Sequence, residues 1–350
     1  MKRKFSRKAL VALFAVSALA LSACSSGDDA SGDVKVSLIL KNQTNPFFVS
    51  MVKGAEAKAA ELGIDLTISS GKEEGDDAAQ IAAIENAISA KHAGIVITVM
   101  STNVNAAITK ARDAGLLVIA LDTPTDPADI ADITFATDNR EAGRLIGQWG
   151  AKKLGGQKAI IALLNIFDDR VSPVDYLRDN GFLEGMGIPV NDPNKMADEA
   201  KTGKYSGGAY EIVGNVATGA NEDGGRSGME KLLAKNPNIN IVYTINEPTA
   251  IGACAALKAA KKTAIVVSVD GGLPGIEAVK SGCIGATSQQ YPLRMADIGL
   301  QAIYDLVKSG KKPEVTPGKD FFDTGVTLIT DDPQDGVPSE STQYGIDNAW

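Results

Sequence analysis

Short β-branched or aliphatic runs alternate with longer helical stretches along most of the chain, and this alternation constrains the fold more than any other feature of the sequence. Residues 35–40, for example, form an apolar run that predicts a buried strand, and a helical pattern at 49–62 follows it. Repeats of strand and helix favour parallel sheets with helices on both faces. We therefore predict an α/β fold.

The alternation passes through two blocks, 34–136 and 138–289, each about the size of one doubly wound domain. Strands are predicted at 35–40, 64–69, 94–99, 116–121, 133–136, 159–164, 210–215, 239–244, 264–269 and 284–288. Helices are predicted at 76–90, 104–114, 140–154, 173–186, 224–235, 248–260 and 293–308. The long stretch 190–208 is rich in turn-forming residues and predicts a surface loop.

The first 23 residues predict an export signal that is removed from the mature protein. An apolar stretch at 9–21 is too short to cross a bilayer as a mature helix, and it is preceded by the basic residues Lys2, Arg3, Lys4, Arg7 and Lys8. The tetrapeptide at 21–24, Leu-Ser-Ala-Cys, resembles a bacterial lipobox and predicts lipidation of Cys24. With lipidation, residues 24–33 would be the lipidated cysteine and a flexible tether. A plain secretory signal is the alternative.

Composition excludes several classes of protein. Hydrophobic residues make up 44% of the chain and charged residues 22%, which is typical of soluble globular proteins. The formal net charge is −8, and removal of the basic leader makes the mature chain more acidic still, so we expect no nucleic-acid partner. Aromatic residues are only 5% of the chain, which makes adjacent phenylalanines informative.

The two remaining cysteines leave a question open. Cys254 lies within a helical pattern, and Cys283 lies near the start of a predicted strand. They could form a disulfide in an exported protein, but two buried thiols are equally compatible with the sequence. The separation of the two Cα atoms decides between these alternatives, and the sequence does not supply it.

The sequence carries no recognisable catalytic or cofactor motif. His92 is the single histidine, so two-histidine zinc sites are impossible, and we interpret it as a surface or capping residue. No nucleophile motif or phosphate-binding loop follows a predicted strand. We therefore predict no cofactor, no metal and no enzymatic activity.

The stretch Asn45-Pro46-Phe47-Phe48 joins the first predicted strand to the first predicted helix. Asn45 is a favourable N-cap and Pro46 suits the first helical position. In open α/β sheets, ligands bind beyond the carboxyl ends of the strands, so Phe47 and Phe48 could form the floor of a binding site. Ordinary packing of the helix on the sheet is the alternative.

Polar side chains follow several other predicted strands. Asp122, Asn246, Asp270 and Gln290 each come just after a strand, and Arg178 lies in the helix that follows another. Singly, such residues are often caps or turn formers. Together they suit a polyol, because carboxylates accept from hydroxyls, a guanidinium donates to two oxygens, and aromatic faces cover C–H surface. Binding alone explains them.

With these motifs in order, the chain resembles periplasmic sugar-binding proteins of the ribose and fructose type, which are receptors of ABC importers. The resemblance spans 34–330 and rests on seven motifs, namely Asn45-Pro46-Phe47-Phe48, Leu121-Asp122-Thr123-Pro124, Asp138-Asn139, Arg178-x-x-Gly181-Phe182, Thr244-Ile245-Asn246-Glu247, Val269-Asp270-Gly271-Gly272 and Gln289-Gln290-Tyr291-Pro292. It implies a type I periplasmic binding protein fold, with two similar doubly wound parallel-sheet domains joined by a three-segment hinge. The implied domains are 34–136 plus 291–324 and 137–290 plus 325–350.

The resemblance also implies a ligand set. The substrate-binding residues would be Asn45, Phe47, Phe48, Asp122, Arg178, Asn246, Asp270 and Gln290. Ribose-binding members carry an arginine where this chain has Thr123, and an aromatic where segment 218–224 has none, and both departures disfavour ribose. The stretches 243–248 and 288–292 look closest to fructose-binding members, so a ketose such as fructose is the favoured ligand. Asn165 and Asn221 are the predicted substitutes on the second domain.

The implied function is an exported, lipid-anchored monomer at the outer face of the cytoplasmic membrane, which delivers a monosaccharide to the permease of an ABC importer. Other pentoses, hexoses and polyols stay open as ligands. A receptor for chemotaxis or a sensor kinase is the alternative role. A sugar-responsive repressor is disfavoured by the leader and the acidic charge, and a sugar-processing enzyme would have to use Asp122 and Asp270 as an acid/base pair.

Overall fold

The computed structural model describes residues 34–350, in which strands and helices alternate. The strands are β1 (Val34–Leu40), β2 (Ile64–Ser70), β3 (Gly94–Ile97), β4 (Leu117–Leu121), β5 (Ile133–Ala136), β6 (Ala159–Asn165), β7 (Thr202–Tyr205), β8 (Gly208–Ala217), β9 (Ile241–Thr244), β10 (Ile265–Asp270), β11 (Ala286–Gln289), β12 (Phe322–Asp323) and β13 (Thr327–Ile329). The helices are α1 (Pro46–Leu62), α2 (Asp77–Ser89), α3 (Asn105–Asp113), α4 (Asn139–Lys153), α5 (Pro173–Met186), α6 (Glu222–Lys235), α7 (Glu247–Ala259), α8 (Leu273–Lys280), α9 (Pro292–Ser309) and α10 (Thr342–Asp347). The predicted leader, Cys24 and the tether lie outside the described residues.

The strands form two sheets, which we call the first and the second sheet. The first has six strands in the order β12-β5-β4-β3-β1-β2, and the second has seven in the order β13-β11-β10-β9-β6-β8-β7. Every pair in the first sheet is parallel. In the second sheet, the outer pairs β7/β8 and β11/β13 are antiparallel. The α/β prediction with two parallel-rich sheets is therefore confirmed.

The predicted loop at 190–208 is partly wrong, because it contains β7, which pairs with β8 as an antiparallel hairpin. Three of the four β7 residues are exposed. An exposed edge strand needs no apolar run, so the pattern that reveals buried strands does not appear there.

Helix packing differs between the two sheets. On the first sheet, the buried face of α9 places Met295, Leu300 and Ile303 in one core cluster with strand residues. Beside the second sheet, α4 and α5 approach closely through glycines, and a Cβ added to Gly147 would lie 2.2 Å from the Phe182 carbonyl oxygen. This contact holds α5, which carries Arg178, at a fixed distance from α4.

The chain passes between the sheets at three places. It leaves the first sheet after β5 and enters α4, which packs in the core of the second sheet. It returns after β11 into α9, and it crosses again between β12 and β13. At one crossing, the Thr137 hydroxyl donates to the Gly325 carbonyl at 3.2 Å, which links two of the passages. The exact domain limits stay a prediction.

The two cysteines that the sequence left open form a disulfide. The bond joins Cys254 in α7 to Cys283 before β11, with 5.9 Å between the Cα atoms. His92 is half-buried, and its Nδ1 lies 2.8 Å from the Ser37 hydroxyl. Among the helices within residues 34–350, none has the length and apolar character needed to cross a membrane.

Candidate functional site

The corner between β1 and α1 has the local structure that its sequence predicts. The Asn45 side chain accepts a hydrogen bond from the Phe47 backbone N–H at 2.9 Å, and Pro46 occupies the first turn of α1. Phe47 and Phe48 are both buried and meet edge to face, with 5.4 Å between their ring centroids. Both rings belong to the first sheet's core cluster, so they serve packing as well as lining a cavity described below.

Arg178 is the central cation of the site and is only 4% exposed. Its Nε donates to Asn139 Oδ1 at 2.7 Å, and its Nη1 donates to the Ile245 carbonyl at 2.9 Å. The guanidinium also lies 3.6 Å from Asp122 Oδ1 and 3.9 Å from Asp270 Oδ1. It therefore compensates two buried carboxylates, one at the end of a strand in each sheet.

Asp122 and Asp270 each have a positive φ angle. Their φ angles are 63° and 148°, in a region that non-glycine residues rarely adopt. Such strain costs on the order of 1–3 kcal/mol and tends to cluster at functional sites. Burial raises the pKa of Asp270, and the nearby Arg178 guanidinium opposes that shift.

The side-chain amides of Gln290 and Asn246 are hydrogen-bonded in different ways. Gln290 Nε2 donates to Asp270 Oδ1 at 2.8 Å, whereas its buried Oε1 has no hydrogen-bond partner among residues 34–350. Asn246 Oδ1 caps α7 by accepting from Thr249, and its Nδ2 donates to the Ala220 carbonyl at 3.0 Å. Gln290 thus offers a free acceptor, while Asn246 Nδ2 carries a second N–H besides the one that it donates to Ala220.

Glu247 supports the loop that follows Asp270. Its buried carboxylate accepts from the Gly271 and Gly272 backbone N–H groups at 2.8 and 3.1 Å, and from the Thr287 hydroxyl at 2.8 Å. Burial, followed by the neighbouring Asp270 charge, raises the pKa of Glu247. Glu247 is therefore a positioning residue for Asp270.

These side chains converge on a small cavity, which we call the inner pocket. Its volume is about 30 Å³, roughly enough for one water molecule. All eight residues predicted as the main ligand contacts line it: Asn45, Phe47, Phe48, Asp122, Arg178, Asn246, Asp270 and Gln290. A larger outer cavity of about 700 Å³ adjoins it and shares Asn45, Glu74, Ala220 and Asp270 as lining residues.

An ion pair that the sequence analysis did not identify also lines the inner pocket. The side chains of Lys41 and Glu74 are only 3% and 7% exposed, with 3.4 Å between Lys41 Nζ and Glu74 Oε1, and Asn42 donates to Glu74 at 2.9 Å. Burial raises the pKa of Glu74, and the Lys41 charge opposes that shift. Lys41 directly follows β1, so the rule that polar residues follow strands could have found it.

The two predicted substitutes, Asn165 and Asn221, do not line the inner pocket. Asn165 is fully buried at the end of β6, where its amide nitrogen lies 2.8 Å from Met196 Sδ. Asn221 is exposed and caps α6 by accepting from the Gly224 N–H at 2.8 Å, although it does line the outer cavity. Each of these two side chains therefore has a local structural role that its position in the sequence does not reveal.

Comparisons with known proteins agree with this geometry. A family model described as "Periplasmic binding protein domain" matches residues 36–312. A ribose import binding protein of Haemophilus influenzae is 29% identical over 309 residues, covering 88% of this chain and 96% of the relative. A D-allose-binding periplasmic protein of Escherichia coli is 26% identical over 302 residues, covering 84% and 91%.

Solved structures share the fold over most of the chain. An ABC transporter solute binding protein from Agrobacterium vitis with bound D-fucose has a TM-score of 0.73 at 24% identity, covering 90% of this chain and 100% of that one. Another solute binding protein of this transporter class, from Burkholderia multivorans, has a TM-score of 0.72 at 25% identity, covering 86% and 100%.

Proposed function

Since the chain belongs to the family of periplasmic binding protein domains, we propose that it is an exported receptor that binds a monosaccharide between its two sheets and delivers it to an ABC importer. Its curated relatives are named as ribose and allose binding proteins. The chain is, like them, a binding protein and not an enzyme.

The observation that carries the proposal is the position of Arg178. It lies between Asp122 and Asp270, beside the phenylalanine pair, and all of these groups line one pocket. Carboxylates that accept, a guanidinium that donates and the free Gln290 Oε1 suit the vicinal hydroxyls of a sugar. The aromatic rings supply surface for its C–H groups.

The inner pocket is too small for a sugar ring in this conformation, which supports binding by a hinged mechanism. The three crossings between the sheets are the places where the chain would bend. The site would open to admit the ligand and close over it, so that hydrogen bonds form in a space from which water is excluded. Our proposed contacts are Asn45, Phe47, Phe48, Asp122, Arg178, Asn246, Asp270 and Gln290, with Glu247 holding the loop after Asp270.

We favour a ketose such as fructose as the ligand. Thr123 follows Asp122 at the position where the resemblance described above implies an arginine in ribose-binding members, and its hydroxyl donates to the Asp122 carboxylate at 2.9 Å. This position therefore adds no cation to the site and leaves Asp122 as an acceptor for ligand hydroxyls. Ribose, allose and other pentoses or hexoses are the competing ligands.

A thermal-shift screen over pentoses, hexoses and polyols tests the proposal directly. A ligand that binds only the folded state raises its stability by RT ln(1 + [L]/Kd), which is about 2.7 kcal/mol at a hundredfold excess over Kd. We expect fructose or a close relative to give the largest increase in Tm. A screen in which no sugar raises Tm would refute the sugar-binding function.

Two cellular experiments test the remaining parts of the proposal. Deletion of the gene should abolish uptake of the labelled sugar, and unchanged uptake would favour a sensory role instead of transport. We also propose that Cys24 carries a lipid anchor. Cys24→Ala should move the protein from the membrane fraction to the soluble fraction, and continued membrane association would count against lipidation at Cys24.

A further inference from the structure

We propose that Trp350 is an aromatic wall of the ligand site, which contacts the bound sugar and helps to decide which sugars fit. This inference rests on the proposed function and extends it to a segment far from every sequence motif of the site. It follows from three features of the structure: the contacts of the ring, the elements that carry it, and the shape of the two cavities.

The Trp350 side chain is held against two residues of the inner pocket. Its ring meets Phe47 edge to face, with 5.4 Å between centroids and an interplanar angle of 84°. Its Nε1 donates to the Gln290 carbonyl at 3.0 Å. Edge-to-face pairs of this kind are attractive beyond the area that they bury, and the hydrogen bond fixes the rotation of the ring. Trp350 therefore has one defined position.

The contact spans the cleft between the two sheets. Trp350 follows α10, which packs against α8 and β13 beside the second sheet. Phe47 lies on α1, whose rings belong to the core of the first sheet. The ring thus joins an element of one sheet to an element of the other, where closure over a ligand brings them together.

The backbone opposite the ring leaves room for it. A Cβ added to Gly272 would lie 2.8 Å from Trp350 Cη2, closer than real Cβ contacts allow. Gly272 has a φ of −73°, which any residue can adopt, so backbone conformation does not require glycine there. The absence of a side chain is instead what permits the indole to pack on the loop after Asp270.

The cavities place the ring against the ligand. The inner pocket adjoins the outer cavity, which Trp350 lines, so a sugar held by the inner-pocket side chains has its remaining surface toward that cavity. Asp270 lines both cavities, so a sugar that donates to its carboxylate lies at their junction. The indole then offers a flat apolar surface to the C–H groups of that sugar.

Calorimetry with the sugar that gives the largest thermal shift tests the inference. Trp350→Ala should weaken binding roughly tenfold or more, and Trp350→Phe should weaken it less because a ring remains. Leu273→Ala is the matched control, since Leu273 is 43% exposed at the start of α8, directly after Gly272, and does not line the outer cavity. Wild-type affinity in a folded Trp350→Ala variant would overturn the inference and leave the sugar-binding function standing. Binding of no sugar by the wild type would overturn both.

Gly272→Ala provides a second, independent perturbation. The added methyl group should displace the indole and weaken binding in the wild-type background, but it should have little further effect once Trp350 is already alanine. Equal losses in the two backgrounds would show that Gly272 does not act through Trp350.

Intrinsic fluorescence reports independently whether the surroundings of Trp350 change when the sugar binds. The chain has two tryptophans, and Trp149 is 1% exposed in the core beside the second sheet, where its Nε1 donates to the Asp332 carbonyl. A sugar-induced change in emission should persist in Trp149→Phe and disappear in Trp350→Phe. The reverse result would contradict the inference.

Discussion

Replacing Arg178 should damage both stability and ligand binding, because one guanidinium serves two carboxylates and two neutral acceptors. In Arg178→Met, Asn139 Oδ1 and the Ile245 carbonyl lose their hydrogen bonds, while Asp122 and Asp270 lose the nearest compensating charge. Arg178→Lys keeps the charge but cannot donate in four directions from a planar group. We expect the lysine variant to be the milder of the two.

The magnitude follows from burial. Because Arg178 is 4% exposed, little solvent can replace the lost contacts. Removing one partner of a buried ion pair typically costs about 3–5 kcal/mol of stability, and we expect Arg178→Met to fall in this range. Hydrogen bonds to charged groups contribute about 1.5–3 kcal/mol each, so sugar binding should weaken by about 2 kcal/mol or more, roughly thirtyfold in Kd.

Urea unfolding measures the loss of stability, and calorimetry of the folded fraction measures the loss of affinity. Arg140→Met is the matched control, because Arg140 pairs with Glu184 on the same α4–α5 helix pair but lines neither cavity. That ion pair is about one-third exposed and should contribute about 0–1 kcal/mol. If folded Arg178→Met bound sugar with wild-type affinity, Arg178 would be no ligand contact.

Three further predictions concern charge, packing and the disulfide. Burial raises the pKa of Asp270, and sugar hydroxyls donate to its ionised form, so calorimetry should show affinity falling as the pH drops from about 8 to 5. Asp270→Asn should bind weakly with a flat profile, and an equally steep profile would exclude Asp270 as the titrating group. Gly147→Ala should lower the free energy of unfolding by about 1–3 kcal/mol, seen as a lower urea midpoint, since its Cβ would meet the Phe182 carbonyl. An unchanged midpoint would contradict the close helix contact. Replacing Cys254 and Cys283 by alanine should cost about 2–4 kcal/mol, and equal stability under oxidising conditions would argue against a disulfide in solution.

Local rules predicted much of the site. Asn45 caps α1 as its residue type and the following proline indicate, because a cap depends only on the next few residues. Asp122 and Asp270 lie in the cleft because parallel strands direct their carboxyl ends to the same edge of a sheet. Asn165 ends β6 in the same way, but its side chain is buried against Met196 and does not line the inner pocket. Position after a strand indicates which edge a residue occupies, not where its side chain points.

Alternation of apolar runs and helical patterns was by itself enough to determine an α/β chain with two parallel-rich sheets. Contacts between distant segments were decided only by the tertiary structure. Trp350 lies 60 positions after Gln290, to which it donates a hydrogen bond, and Cys254 lies 29 positions before its disulfide partner. Lys41, directly after β1, likewise forms an ion pair with Glu74, which lies in the loop after β2. No local pattern encodes such pairs, because secondary structure depends on near neighbours whereas these contacts depend on how whole sheets and helices pack together.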